Sequence, residues 1–136
     1  MTKRKLVENN ILGELIPKRK QTNKTSNYEF TIIIPVFNEE DNICALEKKL
    51  SEFVSQSALS ACVLFVNDSS TNQSNYRIIE VCNRQKHFYH LSLTKNSGLS
   101  AALKAGIDAT WSTWVGYIDA DLQTTPKDFH LMIPYI

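Results

Sequence analysis

The stretch that decides the fold is FTIIIPVFNEE, residues 30–40. Its first five residues are apolar or β-branched without alternation, and Pro35 follows them. A strand that is buried on both faces shows this continuous hydrophobicity, so the stretch predicts a strand inside a parallel sheet. The acidic residues that follow suit the positive N-terminus of a helix, and apolar residues at helical spacing extend that helix over about 39–55.

The same alternation of apolar runs and amphipathic stretches recurs down the chain. Further strands are predicted at 61–66, 88–93 and 114–118, and further helices around 76–82, over 99–109 and from Pro126 onward. The connections between strands are too long for hairpins, and parallel strands need such crossovers. The sequence therefore predicts an α/β fold with an open, mostly parallel sheet and helices on both faces.

The N-terminal 27 residues differ in composition from the rest. They contain seven Lys or Arg and two Glu, a net charge of +5, whereas the whole chain of 136 residues carries +1. We interpret residues 1–27 as a flexible basic leader, with a surface contact to anionic lipid headgroups as the alternative. Residues 28–136 are then the folded part, which is long enough for one modest domain.

The cysteines and the hydropathy bear on the compartment. Cys44, Cys62 and Cys82 are widely spaced among apolar residues and form no CxxC pair, so we predict buried thiols in a reducing compartment. No apolar run approaches the roughly 20 residues that a membrane-spanning helix needs, and the N-terminus has no secretory signal. We expect a cytoplasmic protein, with the cytoplasmic face of a membrane as a further location.

Polar residues cluster directly after each predicted strand. The four clusters are 35–39, 67–70, 95–98 and 119–123. Ligands of open α/β sheets gather at the carboxyl ends of the strands, because loops and helix N-termini converge there. The placement of all four clusters at one edge predicts a shared binding site.

Asp119 and Asp121 are the strongest local signal in the sequence. Two carboxylates separated by Ala120 at the end of a strand can converge on one side, where they repel each other without a cation. Mg²⁺ and Mn²⁺ prefer one or two carboxylates together with phosphate oxygens and water. We therefore predict a divalent metal site here; the alternative is that these acids cap the segment around Pro126.

Three other clusters suggest contacts to a nucleotide. The Asp68 carboxylate can accept the imide hydrogen of uracil or the ring donors of guanine, unless it is a turn residue that bonds its own backbone. Phe37 can line a base pocket, and Glu39 can touch the nucleoside or favour a helix N-terminus. The loop of Asn96 and Gly98 allows close backbone approach to a ligand, although ordinary helix capping explains this segment almost equally well.

Together these stretches resemble the family 2 glycosyltransferases of the GT-A fold over about residues 29–133. The sequence DADLQ at 119–123, followed by Pro126, is similar to the corresponding sequence of one branch of this family. That branch contains dolichyl-phosphate mannose synthase and the polyprenyl-phosphate sugar transferases. The resemblance implies an inverting transfer of a sugar from a UDP- or GDP-linked donor to an acceptor, such as a polyprenyl phosphate or a glycan. It implies Mn²⁺ or Mg²⁺ as cofactor and no nucleic-acid partner.

The resemblance also implies roles for individual residues. It implies that the nucleoside is contacted by Pro35, Phe37, Glu39 and Asp68. It also implies that the metal, the ribose and the diphosphate are bound by Asp119, Asp121 and Gln123. Ser69 stands where the family usually has Gly, so the second loop is expected to take a somewhat different path. Leu99 stands where relatives often have a basic or polar residue, which argues against a phosphate contact there.

The family's acceptor half and its general base would follow Ile136. We therefore expect residues 28–136 to be the donor-binding part of a longer enzyme. The alternative is a nucleotide-sugar-binding fragment or inactive remnant without transfer activity. A flavodoxin-like signalling domain also gathers acids at strand ends, but it leaves the segment 96–106 unexplained.

Overall fold

The computed structural model describes residues 28–121 and 126–132. The predictions made for the leader and for Gln123 therefore lie outside the described residues. Within these residues, four strands alternate with four helices: β1 (Phe30–Val36), α1 (Ile43–Gln56), β2 (Ala61–Asn67), α2 (Ser74–Arg84), β3 (Phe88–Ser92), α3 (Leu99–Ala109), β4 (Trp114–Tyr117) and α4 (Asp128–Met132). The predicted α/β architecture is confirmed.

The four described strands form one parallel sheet in the order β3-β2-β1-β4. β1 lies in the interior of the sheet, with Phe30 level with Ala61 of β2 on one side and with Trp114 of β4 on the other. The order reverses direction at β1, because the chain moves outward to β2 and β3 and then returns to β4. Ligands of open α/β sheets bind outside the carboxyl ends of the strands at such a switch point.

Helices cover both faces of the sheet, as predicted. Successive side chains of a strand point to opposite faces, so alternate residues of β1 enter two separate cores. Ile32 and Ile34 pack in one core with the buried residues of α1 and α2, whereas Ile33 packs in the other with α3. This two-sided burial explains why the strand sequence is apolar without alternation.

Small residues allow α3 to approach the sheet closely. Its buried face consists of Ala102, Ala105, Gly106 and Ala109. A Cβ at Gly106 would lie 2.8 Å from Cγ2 of Ile33 and 3.1 Å from Cγ2 of Val66. The backbone of α3 is therefore held against β1 and β2, with its N-terminus at the carboxyl edge of the sheet.

An aromatic cluster anchors α4 on the opposite face. The Phe129 ring centroid lies 5.3 Å from that of Phe30 and 6.0 Å from that of Phe53, and the ring of His130 lies 4.5 Å from that of Phe53. Phe129 and His130 thus hold α4 against the aromatic side chains of β1 and α1.

The structure corrects one prediction about the cysteines. Cys62 is fully buried and Cys82 is half-buried, but Cys44 is exposed. The buried residues of α1 are Ile43, Leu46, Leu50 and Phe53, whose spacing follows one face of the helix. Cys44 is rotated about 100° away from Ile43 and points to solvent.

Candidate nucleotide-binding site

A pocket of about 340 Å³ lies at the carboxyl edge of the sheet. Its walls come from the ends of β1, β2 and β4 and from the first turn of α3, so the pocket opens where the strand order reverses. The lining residues are Pro35, Val36, Phe37, Glu39, Asp68, Leu99, Ala102, Asp119, Ala120 and Asp121. A volume of this size falls in the range of small-molecule sites.

The structure brings most of the predicted site residues together. Seven of them line the pocket directly: Pro35, Phe37, Glu39, Asp68, Asp119, Ala120 and Asp121. Asn96 and Gly98 are not among the lining residues but hydrogen-bond to Asp68. Gln123 lies outside the described residues.

Sequence reasoning missed three lining residues, Val36, Leu99 and Ala102. Leu99 and Ala102 are three positions apart on α3, so they share a helix face, and that spacing was a usable signal. Val36 carried no signal of its own, because it continues the apolar run of β1. Its burial is complete, and it contributes to the inner wall of the pocket.

Asp68 ties the β2 end of the site to the loop before α3. Asp68 is 5% exposed. Oδ1 accepts a hydrogen bond from the Ser97 backbone N–H at 2.8 Å, and Oδ2 accepts one from the Gly98 backbone N–H at 2.9 Å. The Asn96 side-chain amide donates to Oδ2 at 3.3 Å and to the Asp68 carbonyl oxygen at 3.2 Å. The alternative that Asp68 bonds only its own turn is therefore wrong.

Side-chain hydrogen bonds also join the β1–α1 loop to the β2–α2 loop. The Asn38 backbone N–H donates to Ser70 Oγ at 3.0 Å, and the Thr71 backbone N–H donates to Asn38 Oδ1 at 2.8 Å. One step further along, the Glu39 backbone N–H donates to Ser74 Oγ at 2.8 Å. The β2 end of the site is thus linked to the loops on both sides of it.

Two residues of these loops have left-handed backbone conformations. The φ angle is 54° at Asn38 and 58° at Ser69. Asparagine tolerates this region, whereas serine adopts it at a steric cost. Ser69 therefore takes a left-handed conformation that glycine adopts without steric cost.

Contacts of acidic side chains in the β1–α1 loop also affect where α1 begins. The helix begins at Ile43 rather than at the predicted residue 39. Oε1 of Glu39 accepts a hydrogen bond from the Asn42 side chain at 2.7 Å, and Oε1 of Glu40 accepts one from the Gln73 backbone N–H at 2.8 Å. These carboxylates hold the loop between β1 and α1 instead of lying within the first helical turn.

All four charged residues that line the pocket are acidic: Glu39, Asp68, Asp119 and Asp121. Asp119 and Asp121 are exposed on either side of the buried Ala120. A diphosphate is strongly anionic, so it would be repelled from this wall unless a cation lay between them. The electrostatics of the pocket therefore favour a site that takes a metal together with a phosphate ligand.

The oxygen ligands suit Mg²⁺ or Mn²⁺. Among residues 28–121 and 126–132, no three His, Cys, Asp or Glu side chains are grouped so that they could enclose a metal ion by themselves. A cation at the Asp119 and Asp121 pair would therefore need further ligands, and these metals readily take phosphate oxygens and water. The residues present fit the predicted cation.

Two apolar side chains at the pocket are solvent-exposed. Phe37 is 45% exposed and Leu99 is 50% exposed, although both are large hydrophobic residues. They come from the β1–α1 loop and from the start of α3, which are different walls of the pocket. Such surfaces suit the faces of a planar ring, and acids elsewhere in the pocket suit its polar substituents.

The parallel sheet, with helices on both faces and a pocket at its switch point, defines an α/β domain of the GT-A type. The chain belongs to the family described as Glycosyl transferase family 2, whose profile matches residues 31–136. The family resemblance found in the sequence is therefore confirmed.

Individual relatives agree with this membership. An uncharacterised glycosyltransferase from Synechocystis is 33% identical over 105 residues, which cover 77% of this chain and 33% of that protein. The dodecaprenyl-phosphate galacturonate synthase of Rhizobium johnstonii is 26% identical over 118 residues, which cover 86% of this chain and 35% of that protein. The chain thus spans about a third of the length of these relatives.

Solved structures share the fold. The crystal structure of S. aureus TarS in complex with UDP superposes with a TM-score of 0.57 and 26% identity, covering 78% of this chain and 32% of that one.

Within the described part of the chain, no helix has the length and apolar character needed to cross a membrane.

Proposed function

We propose that the protein transfers a sugar from a UDP- or GDP-linked donor to an acceptor, and that the pocket described above binds the donor. The observation that carries the proposal is the convergence of Asp68 with Asp119 and Asp121 in one pocket, although these residues are some 50 positions apart in the sequence. The nucleotide-sugar contacts we propose are Pro35, Phe37, Glu39, Asp68, Asn96, Gly98, Asp119, Ala120, Asp121 and Gln123.

The proposed reaction is an inverting single displacement. An acceptor oxygen attacks the anomeric carbon, the bond from that carbon to the diphosphate oxygen breaks, and the nucleoside diphosphate leaves with the bonding electrons. Mn²⁺ or Mg²⁺, held by Asp119, Asp121 and Gln123, would neutralise charge on the departing diphosphate. An acceptor hydroxyl would need a general base to remove its proton, whereas an ionised phosphate oxygen attacks without one.

The acceptor we propose is a polyprenyl phosphate. The name of the Rhizobium relative specifies a dodecaprenyl phosphate, and the DADLQ sequence is shared with lipid-phosphate sugar transferases by resemblance. An acceptor of this kind resides in a membrane, so we place the protein at the cytoplasmic face of a membrane. The basic residues of segment 1–27 would then face anionic headgroups.

Calorimetry with sugar nucleotides tests the donor site. We expect UDP- or GDP-sugars to bind in the presence of Mn²⁺ and to lose affinity when the metal is chelated. Asp121→Asn should lower the metal-dependent affinity more than tenfold, because it removes a charged ligand. Asp41→Asn is the matched control, since Asp41 is exposed and is not among the lining residues.

Turnover of the sugar nucleotide separates transfer from binding alone. Release of nucleoside diphosphate with a polyprenyl phosphate acceptor supports the transferase. Metal-dependent binding without transfer would favour the alternative of a binding module. Affinity that Mn²⁺ and Asp121→Asn both leave unchanged would contradict the proposed site.

A further inference from the structure

The loops that follow β1 and β2 are joined by hydrogen bonds of one residue, Asn38. Its Oδ1 accepts a hydrogen bond from the Thr71 backbone N–H at 2.8 Å, and its Nδ2 donates to Thr71 Oγ1 at 3.2 Å. Its own backbone N–H donates to Ser70 Oγ at 3.0 Å. Both polar groups of the Asn38 side chain therefore bind a residue that lies 33 positions away in the sequence. We call these contacts the Asn38 clasp.

Asn38 is not among the residues that line the pocket, but it lies between two of them. Phe37 and Glu39 line the pocket, and so does Asp68, which lies just before the segment that Asn38 contacts. The φ angle of Asn38 is 54°. Asparagine adopts this left-handed conformation more readily than most residues, because its short side chain can form hydrogen bonds there. The backbone conformation and the clasp therefore both favour asparagine at this position.

Burial does not fix the orientation of the Phe37 side chain. Phe37 is 45% exposed, whereas Val36, directly before it, is fully buried. The direction in which Phe37 points therefore depends on the backbone of the loop that carries it. The Asn38 clasp begins at the next residue of the chain and ties this backbone to the loop after β2.

We infer that Asn38 is a positioning residue of the donor site, which holds Phe37 and Glu39 in place relative to Asp68. The inference rests on the proposed function, because it concerns the pocket assigned to the donor. Without the clasp, the two loops would have to be ordered when the nucleotide binds, and that cost lowers the affinity. The fold should change little, because Asn38 and Thr71 are exposed and water can replace their hydrogen bonds.

Two variants remove the side-chain contact from opposite loops. Asn38→Gly retains the left-handed backbone but removes the amide. Thr71→Val retains the backbone N–H and the branched shape but removes the hydroxyl. Each protein is titrated calorimetrically with UDP and with GDP in the presence of Mn²⁺ and is unfolded in urea. We expect Asn38→Gly to lower the nucleotide affinity about three- to tenfold and Thr71→Val to lower it less, with denaturation midpoints close to that of the wild type.

Thr71→Ser and the double variant distinguish the clasp from unrelated effects of the substitutions. Thr71→Ser retains the hydroxyl and should retain the wild-type affinity. Glycine at position 38 also makes the loop more flexible, so the double variant of Asn38→Gly and Thr71→Val is needed. Because the Thr71 hydroxyl has already lost its partner in Asn38→Gly, adding Thr71→Val should lower the affinity little further. Losses that multiply would show that the two residues act independently and would overturn the inference.

The remaining outcomes separate the inference from the proposed function. A lower denaturation midpoint with unchanged nucleotide affinity would show a purely structural role for Asn38 and would overturn the inference. If a nucleotide binds the wild type with Mn²⁺ and neither substitution alters its affinity, the donor site stands but the positioning role fails. If neither UDP nor GDP binds the wild type with Mn²⁺, the proposed function fails together with the inference.

Discussion

The carboxylate of Asp68 accepts a 2.9 Å hydrogen bond from the backbone N–H of Gly98, which lies 30 positions later in the chain. This contact joins the end of β2 to the start of α3. In the chain, β3 lies between these two elements, and in the sheet it is an edge strand. One carboxylate thereby fixes the relative position of two walls of the pocket.

Replacing Asp68 should destabilise the protein as well as affect the site. Asp68→Ala leaves the N–H groups of Ser97 and Gly98 without their acceptor, so we expect the free energy of unfolding to fall by about 1–3 kcal/mol. Asp68→Asn retains one acceptor oxygen and should cost less. Urea denaturation of the three proteins gives the comparison, and equal midpoints would show that the loop before α3 does not depend on this residue.

Ser69 offers a test of backbone strain at the same edge. Its φ of 58° costs an L-residue roughly 1 kcal/mol relative to glycine. Ser69→Gly should therefore raise the free energy of unfolding or leave it unchanged, although glycine adds entropy to the unfolded chain. Ser70→Gly should lower it, because Ser70 Oγ accepts a hydrogen bond from the Asn38 backbone. Thermal unfolding of both variants would contradict this view if Ser69→Gly were the more destabilising.

Gly106→Ala tests the close packing of α3 against the sheet. Alanine is a better helix former than glycine by about 1 kcal/mol, so the change would stabilise an isolated helix. Here the new Cβ would lie 2.8 Å from Ile33 Cγ2, and we expect overpacking to produce a net loss of about 1–3 kcal/mol. Ser100→Ala, on the exposed side of α3, is the control. A gain in denaturation midpoint for Gly106→Ala would mean that α3 shifts outward at little cost.

The ion pair between α1 and α2 predicts a pH dependence of stability. Arg84 donates to Glu47 from Nε at 2.8 Å and from Nη2 at 2.7 Å, and these hydrogen bonds lower the pKa of Glu47 below its ordinary value of 4.5. Because the native pKa is the lower one, the stabilisation is present above pH 4.5 and is lost as the pH falls through the native pKa.

Glu47→Gln should therefore be less stable than the wild type at neutral pH and should lose less stability on acidification. The effect should be small, since the pair is partly exposed to solvent. Denaturant unfolding of both proteins above and below pH 4.5 measures it, with Glu52→Gln on the exposed face of α1 as the control. Parallel pH profiles for wild type and Glu47→Gln would contradict a role for this pair.

The order and type of the elements were predictable because the patterns are strong. β1 and β2 are continuous apolar runs, and the apolar spacing from Ile43 to Phe53 is helical. The start of α1 was not predictable, because it depends on tertiary contacts. Acids near a helix start normally favour its first turn, but Glu39 and Glu40 contact Asn42 and Gln73 and remain in the loop.

The gathering of the acids was predictable from topology alone, since the carboxyl ends of parallel strands share one edge. The hydrogen bonds that Asp68 makes at this edge were not predictable. The sequence contained both partners, but nothing in it shows that the N–H groups of Ser97 and Gly98 reach the carboxylate from 29 and 30 positions away. The exposure of Cys44, by contrast, follows from its position next to Ile43 on a helix with one buried face, so the helical pattern could have revealed it.

The exposed thiol of Cys44 gives the chain a site for chemical labelling. Burial raises the pKa of both the Cys62 and the Cys82 thiols to about 12, so neither supplies a reactive thiolate at neutral pH. A maleimide dye would then couple selectively at Cys44, in the first turn of α1 and a few residues from the loop that carries Glu39. A fluorophore can thus be attached at the start of α1 without mutagenesis.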